Sequence, residues 1–419
     1  MAIGVALLIS GQVAATNGYF AHGYGPVSKS MAGACVAVTE SAMCSAHNPA
    51  ILSYIEEDRL ELGVALFSPD RGFQANNDAQ TPPYASIPPG TYESDNEIFL
   101  IPHFAYTYRL DEQTVFGLIM GGNGGLNTEY SDDIFRNFNS PGNVASSPAS
   151  MDMIQLFAGF NFSRKINSQH SLAIMPILAV QRLEVKGLEP FRPFSLHPDK
   201  VTNNGKDWSY GAGARFGWLW QATDALVIGA SYQTRTWMTD FDDYKGLLAD
   251  EGSFDIPPII DLGFAYLPTP KWTLAFNYQR IQYEKIGAIS NPADLVFMPG
   301  DTLLGTEDGL GFGWEDVDVY KFGVQWVFQP DLRFRAGFGY TSDTFEGTQA
   351  LFNILAPAVV KKHFTFGLGK TLRSGDDINL SVLYAPNEKV YGTNPNTGPQ
   401  TGYVEMSQWE FEIGAVFKY

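Results

Sequence analysis

Apolar and polar residues alternate with a period of two along most of the chain from residue 59 onward. Between Trp208 and Trp220, one face carries aromatic and apolar side chains, and the other carries glycine, serine and arginine. This alternation is typical of β-strands whose two faces meet different surroundings, and helical periodicity is scarce in the same region. The pattern therefore predicts an all-β fold.

Each alternating run is counted as one strand, which gives about fourteen. We expect the strands to start near residues 59, 97, 113, 152, 170, 207, 225, 258, 271, 317, 331, 362, 377 and 407. Tight turns are predicted at Asp111-Glu112, Asn167-Ser168, Thr223-Asp224, Thr269, Pro330 and Gly375-Asp376. An even strand number, with short turns at one end and long loops at the other, is typical of outer-membrane β-barrels. In such barrels the short turns and both chain ends face the periplasm.

A soluble two-sheet sandwich also has alternating strands, but its apolar faces point inward. Here the aromatic residues cluster towards strand ends, as in the girdles at a membrane interface. The opposite face, rich in glycine, serine, arginine and glutamine, would fill a sandwich core badly. We therefore predict a fourteen-stranded antiparallel transmembrane β-barrel over residues 59–419, in the outer membrane of a Gram-negative bacterium.

The composition agrees with this class and excludes others. Charged residues make up 17% of the 419 residues, against about 25% in an average soluble domain. No run of about 18 apolar residues occurs that could cross a bilayer as a helix. The 27 basic and 45 acidic residues give a net charge of −18, which would repel nucleic acid.

The first fifteen residues, MAIGVALLISGQVAA, are predicted to be a secretory signal peptide. The stretch is apolar and ends in small residues, with Val13 and Ala15 at the expected cleavage positions. No Lys or Arg precedes Lys29, so the usual basic region is missing, which is consistent with a true start upstream of Met1. The alternative is a buried apolar helix of the mature fold.

Residues 16–58 break the alternation and are rich in glycine, alanine and serine. A barrel of fourteen strands is wide enough to need filling, so we predict that this segment is a plug inside the lumen, with a short helix near Ser28 to Val36. A disordered periplasmic tail is the alternative. Cys35 and Cys44 could close one small loop in an oxidising periplasm. Their spacing fits no common zinc motif, so a metal site with His47 is less favoured.

The opening stretch NGYFAHGYGPVSKSMAGA, together with Asn48, Pro49 and Ala50, resembles the plug of the FadL family of outer-membrane transporters for long-chain fatty acids and other hydrophobic compounds. Four later stretches agree with the same family: LGFAYLPTPKWTLAFNYQRI, GLGFGWEDVDVYKFGV, DLRFRAGFGYT and FNILAPAVVKKHFTFGLG. The resemblance covers essentially the whole mature sequence, apart from the two cysteines in the plug. It implies a fourteen-stranded barrel with an N-terminal hatch, passive uptake, and sideways release into the membrane through a kinked third strand.

The candidate for this kink is a glycine-rich run at the end of the third strand. Its residues are Gly121, Gly122, Asn123, Gly124 and Gly125. Such runs hold a regular ladder poorly, which predicts a bulge or gap; a flexible loop entry is the alternative. We expect Asn48 of the plug and Asn123 of the strand to face the opening. We also expect that replacing Gly122 and Gly124 with Val closes the opening and stops uptake.

Two long loops carry apolar clusters that predict a capture groove at the outer mouth. The loop after strand five contains Leu188, Phe191, Phe194 and Leu196, and the loop after strand seven contains Tyr244, Leu247, Leu248 and Phe254. Packing of the loops on each other is the alternative. In the lumen, Arg215 and Lys321 are candidates to hold a ligand carboxylate, although pairing with lumen acids would also explain them.

The sequence therefore predicts passive outer-membrane transport of hydrophobic small molecules with lateral release. The ligand class stays open among fatty acids, alkanes and aromatic hydrocarbons. The alternatives are an outer-membrane lipid hydrolase and a general porin, but no catalytic motif occurs and the six histidines are scattered. We expect no enzyme activity, cofactor or metal. The expected partners are the ligand, outer-membrane lipid, lipopolysaccharide and the barrel assembly machinery, with the protein as a monomer.

Overall fold

The computed structural model describes residues 17–77, 85–138, 146–298 and 300–419. The predicted signal peptide, residues 1–15, lies outside these ranges. Within them, fourteen long strands form one antiparallel sheet, and the last strand pairs with the first from Arg59 opposite Lys418 to Ala75 opposite Gly402. The strands are β1 Arg59–Ala75, β2 Phe99–Arg109, β3 Thr114–Glu129, β4 Ser150–Lys165, β5 His170–Lys186, β6 Asp207–Thr223, β7 Leu226–Gln233, β8 Ile259–Thr269, β9 Trp272–Ile281, β10 Val317–Gln329, β11 Leu332–Thr341, β12 Lys362–Thr371, β13 Asp377–Thr393 and β14 Thr401–Lys418. The predicted closed barrel is confirmed.

The two faces of the wall differ as the alternation predicted. On β6 the outward side chains of Tyr210 and Phe216 are 56% and 46% exposed, whereas the inward Ser209 and Arg215 are 0% and 2% exposed. The outward face suits lipid, and the inward face is closed over by other parts of the chain.

All six predicted tight turns lie at one end of the barrel, together with the start of β1 and the end of β14. The last strand starts at Thr401, earlier than the expected residue 407, because its pairing continues to Thr393 of β13 and Ala75 of β1. Two short strands, Gly90–Glu93 and Trp237–Met238, were not predicted; they pair with β1 and β6 in the long-loop region.

Helical segments in the described residues are short, and none has the length and hydropathy to span a bilayer. Those of the N-terminal segment are Gly25–Lys29, Ala42–Ala46 and Pro49–Tyr54. Those of the loops are Arg136–Phe138, Glu189–Phe194, Pro198–Lys200, Asp242–Tyr244, Ala249–Gly252, Tyr283–Lys285, Gly287–Ser290, Gly347–Gln349, Ala350–Asn353 and Pro395–Thr397.

The N-terminal segment, residues 17–58, lies inside the barrel and is called the hatch below. Nearly all of its side chains up to Ile55 are buried. The helix predicted over Ser28 to Val36 is wrong in extent, because the observed helix stops at Lys29. Ala32 and Gly33 have φ values of 53° and 79°, and this left-handed backbone ends a helix.

A disulfide joins Cys35 to Cys44 within the hatch, and both residues are fully buried. The bond connects the chain after the first helix to the turn Ala42–Ala46, so the two halves of the hatch are held together covalently. Because both sulfurs are used in this bond, the alternative of a thiolate metal site with His47 is not supported.

Candidate functional site

One side of the hatch is held by a buried polar network on β6, β8 and β9. The Arg215 guanidinium donates to Asp261 at 3.1 Å and to the main-chain carbonyl of His47 at 2.8 Å. Asp261 also accepts bonds from the side-chain amides of Asn277 and Gln279, at 2.9 and 3.0 Å. Burial lowers the pKa of the His47 imidazole well below its usual range, so this ring is neutral and adds no positive charge beside Asp261.

Lys321 on β10 also binds the hatch. Its ammonium group donates to the main-chain carbonyl of His22 and to the side chain of Gln279, both at 3.1 Å. Arg215 and Lys321 therefore both reach the lumen, as predicted, but each is occupied by hatch and wall groups. Neither is free to receive a ligand carboxylate while the hatch is in this position.

The opposite side of the hatch is held by an ion-pair cluster. Lys29, at the end of the first hatch helix, lies 2.8 Å from Glu410 and 3.4 Å from Glu412 of β14. The second carboxylate also lies 2.7 Å from the His103 ring on β2. All four side chains are buried. The hatch is thus fixed to the wall on two sides by charges removed from water.

Asn48 lies against β6, whereas the main-chain carbonyls of Pro49 and Ala50 accept hydrogen bonds from Asn161 and Ser163 of β4. The Asn48 amide donates to the carbonyls of Val36 and Trp218 at 2.8 and 3.0 Å, and its oxygen caps the turn Pro49–Tyr54 by accepting from Ala50. These three residues position the hatch. The expectation that Asn48 and Asn123 face one opening is wrong, because the two side chains bind different partners on different strands.

The wall is interrupted at the predicted glycine run of β3. Pairing between β2 and β3 stops at His103 opposite Gly121. Beyond Gly121, β2 therefore does not pair with β3. On the other side, the register with β4 shifts between Gly122 and Gly124, which makes Asn123 the extra residue of a bulge. The predicted interruption is confirmed, and its role as an exit stays a prediction.

The first residues of the hatch close the interrupted part of β3. The Ala21 amide donates to the Asn123 carbonyl at 3.1 Å, and the Gly125 amide donates to the Tyr19 carbonyl at 3.0 Å. These bonds give the bulged strand the partners that β2 does not supply. The Asn123 side chain faces inward, where it accepts from the Tyr24 hydroxyl at 2.7 Å and contacts Gln155.

This arrangement changes the expected effect of a valine at Gly124. A Cβ at Gly124 would lie 2.1 Å from the Tyr19 carbonyl oxygen, which is far too close for a real contact. The side chain would therefore push the hatch away from β3 instead of letting the wall pair regularly. The expectation that Gly122 and Gly124 to valine closes the wall is wrong for this reason.

A small recess lies below the bulge and was missed by the sequence reasoning. It is lined by Tyr24, Asn123, Phe157, Met175, Ile177 and Ile256, with Arg215 and Gln233 at its edge. The sequence held one signal for it, because Phe157 on β4 and Met175 and Ile177 on β5 put apolar side chains on an inward face that is otherwise polar or small. Apolar walls with a few polar groups are typical of small-molecule sites.

The predicted capture residues are brought together at the outer mouth, but they are not exposed. Leu188, Phe191, Tyr244, Leu248 and Phe254 are buried, Phe194 and Leu247 are partly buried, and only Leu196 of the set is exposed. Rings from two further loops cover them: the Phe191 ring centroid lies 5.1 Å from that of Phe135 and 5.6 Å from that of Phe297. The expected open groove is thus closed in this structure, because four loops pack their apolar side chains against one another.

Replacing Phe191 with Ala should loosen these loops and leave the barrel intact. Removal of a fully buried phenylalanine costs about 3–5 kcal/mol, and that loss falls on loop packing, because the strands are held by their own ladder. We expect faster limited proteolysis of the loops with unchanged heat resistance of the barrel. Leu196→Ala is the matched control, since Leu196 is 46% exposed. Equal proteolysis of the two variants would contradict the packing role of Phe191.

A closed lipid-facing barrel, an internal hatch and an interrupted wall together define an outer-membrane transport channel. A family model described as "Outer membrane protein transport protein (OMPP1/FadL/TodX)" matches residues 6–406. The chain belongs to this family, and it transports hydrophobic compounds across the outer membrane. Because the family consists of transport proteins, the alternative of a lipid hydrolase is not supported.

Solved structures show the same fold. The toluene transporter TodX of P. putida has a TM-score of 0.70 at 20% identity, with 95% of this chain and 99% of that chain covered. The toluene transporter TbuX of Ralstonia pickettii has a TM-score of 0.66 at 18% identity, with 95% and 99% covered. A FadL homologue of Pseudomonas aeruginosa has a TM-score of 0.68 at 15% identity, with 96% and 99% covered. Comparison with curated proteins gives no match.

Proposed function

We propose that this channel releases hydrophobic small molecules sideways into the membrane, through the gap between β2 and β3, when the first hatch residues leave β3. The observation that carries this proposal is the pairing of Tyr19 and Ala21 with the bulged strand at Asn123 and Gly125. An apolar ligand gains nothing by entering the aqueous periplasm, whereas a gap in the wall keeps its surface out of water. While the hatch is in place, its backbone groups satisfy those of β3.

The proposed route connects the loop cluster to this gap through a chain of aromatic side chains. Phe254 of the loop cluster lies 6.1 Å, between ring centroids, from Tyr19 of the hatch. The Tyr19 ring is also 5.5 Å from Tyr283 and 6.1 Å from Trp314, while Phe20 stacks on it at 4.6 Å. Opening of the loops would lead a ligand along these rings to the hatch segment that closes the gap. Residues Leu188, Phe191, Phe194, Tyr244, Leu247, Leu248 and Phe254 are proposed as its first apolar contacts.

A disulfide between the hatch and β3 tests the proposal directly. Ala21 and Asn123 are the opposite pair next to the antiparallel bridge between Phe20 and Gly124. Opposite residues of antiparallel strands have Cα atoms about 4.5–5.5 Å apart, which lies within the Cα range of about 4.4–6.8 Å that a disulfide spans. We expect oxidised Ala21→Cys/Asn123→Cys protein to lose uptake of hydrophobic compounds by about tenfold or more, and a reductant to restore it.

The matched controls are the two single-cysteine variants, exposed to the same oxidant and reductant. They contain the native Cys35–Cys44 pair but not the engineered bond, so they report any effect of the treatment on the native pair alone. Normal uptake by the oxidised double variant would show that the hatch does not need to leave β3. The lateral route would then be abandoned in favour of release along the lumen.

The orientation and partners are part of the same proposal. The short turns, the start of β1 and the end of β14 share one end of the barrel, and we place that end in the periplasm. The long loops would then meet the lipopolysaccharide, where hydrophobic ligands collect. We propose the barrel assembly machinery as the partner that inserts these strands into the outer membrane. A protease added outside intact cells should cut the long loops and spare the short turns.

A further inference from the structure

The outward face of the wall carries a large apolar groove over β9–β13. Its volume is about 680 Å³, within the range of about 300–1,000 Å³ that is usual for small-molecule sites. None of these strands borders the gap between β2 and β3, so the groove is separate from the proposed exit. The outward side chains that line it include Trp326, Phe334, Phe366, Leu368 and Leu380.

The groove exists because one cross-strand row of the wall contains small side chains. Ala336 of β11 lies at the centre of this row, opposite Val324 of β10 and Phe366 of β12, and Val382 of β13 lies opposite Phe366. With only a methyl group beside it, the Phe366 ring stands clear of the wall and is 67% exposed. The next row towards the short turns carries larger side chains, which are Trp326, Phe334, Leu368 and Leu380.

The wall beneath the groove is thin, and the hatch lies directly behind it. A Cβ at Gly337 would lie 2.5 Å from the main-chain nitrogen of Ala32, and a Cβ at Gly367 would lie 2.2 Å from the Cβ of Ser30. The Thr365 hydroxyl oxygen also accepts a hydrogen bond from the Ala32 amide at 3.0 Å. Hydrocarbon that filled the groove would therefore pack close to the backbone that holds the hatch.

A cation lies beyond one end of the groove. Lys370 follows Leu368 by two residues on the outward face of β12, towards the short turns. It pairs with Asp331, and the two side chains are 43% and 48% exposed. Exposed pairs of this kind are weak, so the ammonium group can also bind a second anion. The rings of Trp272 and Trp326 stack beside the groove at 5.6 Å, and tryptophan is enriched at the level of lipid head groups.

We propose that this groove binds one phospholipid of the periplasmic leaflet, with an acyl chain over Ala336 and the phosphate at Lys370. The groove faces the bilayer, so its occupant is a lipid, and phospholipid forms the leaflet at the short-turn end in the orientation proposed above. Lipid tails are as apolar as the wall, so the binding free energy comes from close packing and from the head-group charge. The inference goes beyond the proposed function and rests only on its orientation of the barrel.

Native mass spectrometry of the whole protein in mild detergent tests the groove, with palmitoyl-oleoyl phosphatidylglycerol as the added lipid. We expect the wild-type protein to bind one molecule saturably, and Ala336→Phe to weaken this binding about tenfold, because the ring fills the centre of the groove. Ala230→Phe is the matched control, since Ala230 faces outward on β7 between Trp218 and Leu262, outside the groove. Equal affinity of the two variants overturns the inference.

A second pair of variants tests the head-group contact. Lys370→Gln should weaken phosphatidylglycerol binding about fivefold, as expected for one basic residue beside an anionic lipid. Lys362→Gln is the matched control, because Lys362 faces outward at the other end of β12, where it pairs with Glu388. Lys370 is an exposed residue, so this comparison stays decisive even where Ala336→Phe does not fold. Equal affinity of Lys370→Gln and Lys362→Gln overturns the assignment of the phosphate to Lys370.

The mass of the lipid that copurifies with the wild-type protein separates this inference from the proposed function. A retained phospholipid that Ala336→Phe loses supports the inference. Lipopolysaccharide in its place would put the groove in the other leaflet, and it would overturn both the inference and the proposed orientation. A wild-type protein that binds no lipid overturns the inference alone, because lateral release depends on β2, β3 and the hatch.

Discussion

Deletion of residues 17–55 is expected to turn the barrel into an open pore with an ion conductance at least about tenfold higher than that of the full chain. The hatch fills the lumen between β6–β8 on one side and β14 on the other. A fourteen-stranded barrel without it encloses a water-filled passage. The strands should still assemble, because the ladder closes through β1 and β14 without the hatch.

Single-channel recording in planar bilayers measures this change, and the heat-dependent gel mobility of the barrel shows whether it is folded. A folded deletion variant with the conductance of the full chain would contradict the placement of the hatch in the lumen. It would also revive the alternative of a periplasmic tail for this segment.

Replacing Asp261 with Asn is expected to release one side of the hatch. The carboxylate faces Arg215 at 3.1 Å and accepts bonds from Asn277 and Gln279, with both charges fully buried. Removing one partner of a buried ion pair costs about 3–5 kcal/mol, because the other charge is left uncompensated. Since Arg215 also holds the His47 carbonyl, the loss should shift the hatch towards an undocked state.

Protease cleavage within the hatch and brief openings in single-channel records measure that shift. Asp318→Asn is the matched control, because Asp318 pairs with the partly exposed Arg280 and does not contact the hatch. Such exposed pairs contribute about 0–1 kcal/mol. If Asp261→Asn and Asp318→Asn behave alike, the Arg215–Asp261 pair does not anchor the hatch.

The membrane barrel could be predicted from the chain because its signal is local. Each strand shows its two faces within about ten residues, and the tight turns fall where the alternation restarts, as at Asp111-Glu112 and Gly375-Asp376. The break in the alternation over residues 16–58 predicted the hatch in the same way. The resemblance to the FadL family supplied the kinked third strand and the expectation of lateral release, and the run Gly121 to Gly125 located the kink because glycines hold a ladder poorly.

The partners of the lumen charges could not be predicted in the same way. Arg215 and Lys321 were correctly predicted to face the lumen. The alternation shows which face of a strand a side chain lies on, but it does not show which residues that side chain contacts. Their partners, the carbonyls of His47 and His22, are 168 and 299 residues distant along the chain. The burial of the loop residues could not be predicted for the same reason. Phe191 is covered by Phe135 and Phe297, which belong to other loops.

The sequence by itself determined the wall of this protein: strand number, the lipid and lumen faces, the end with the short turns, and the weak point in β3. These follow from periodicity and turn chemistry, which act between near neighbours. Only the tertiary structure decided that Asn48 positions the hatch against β6 and that Tyr19 and Ala21 close β3. These contacts join groups that are far apart along the chain. They are determined by how the hatch packs in the lumen, which the alternation of apolar and polar residues does not show.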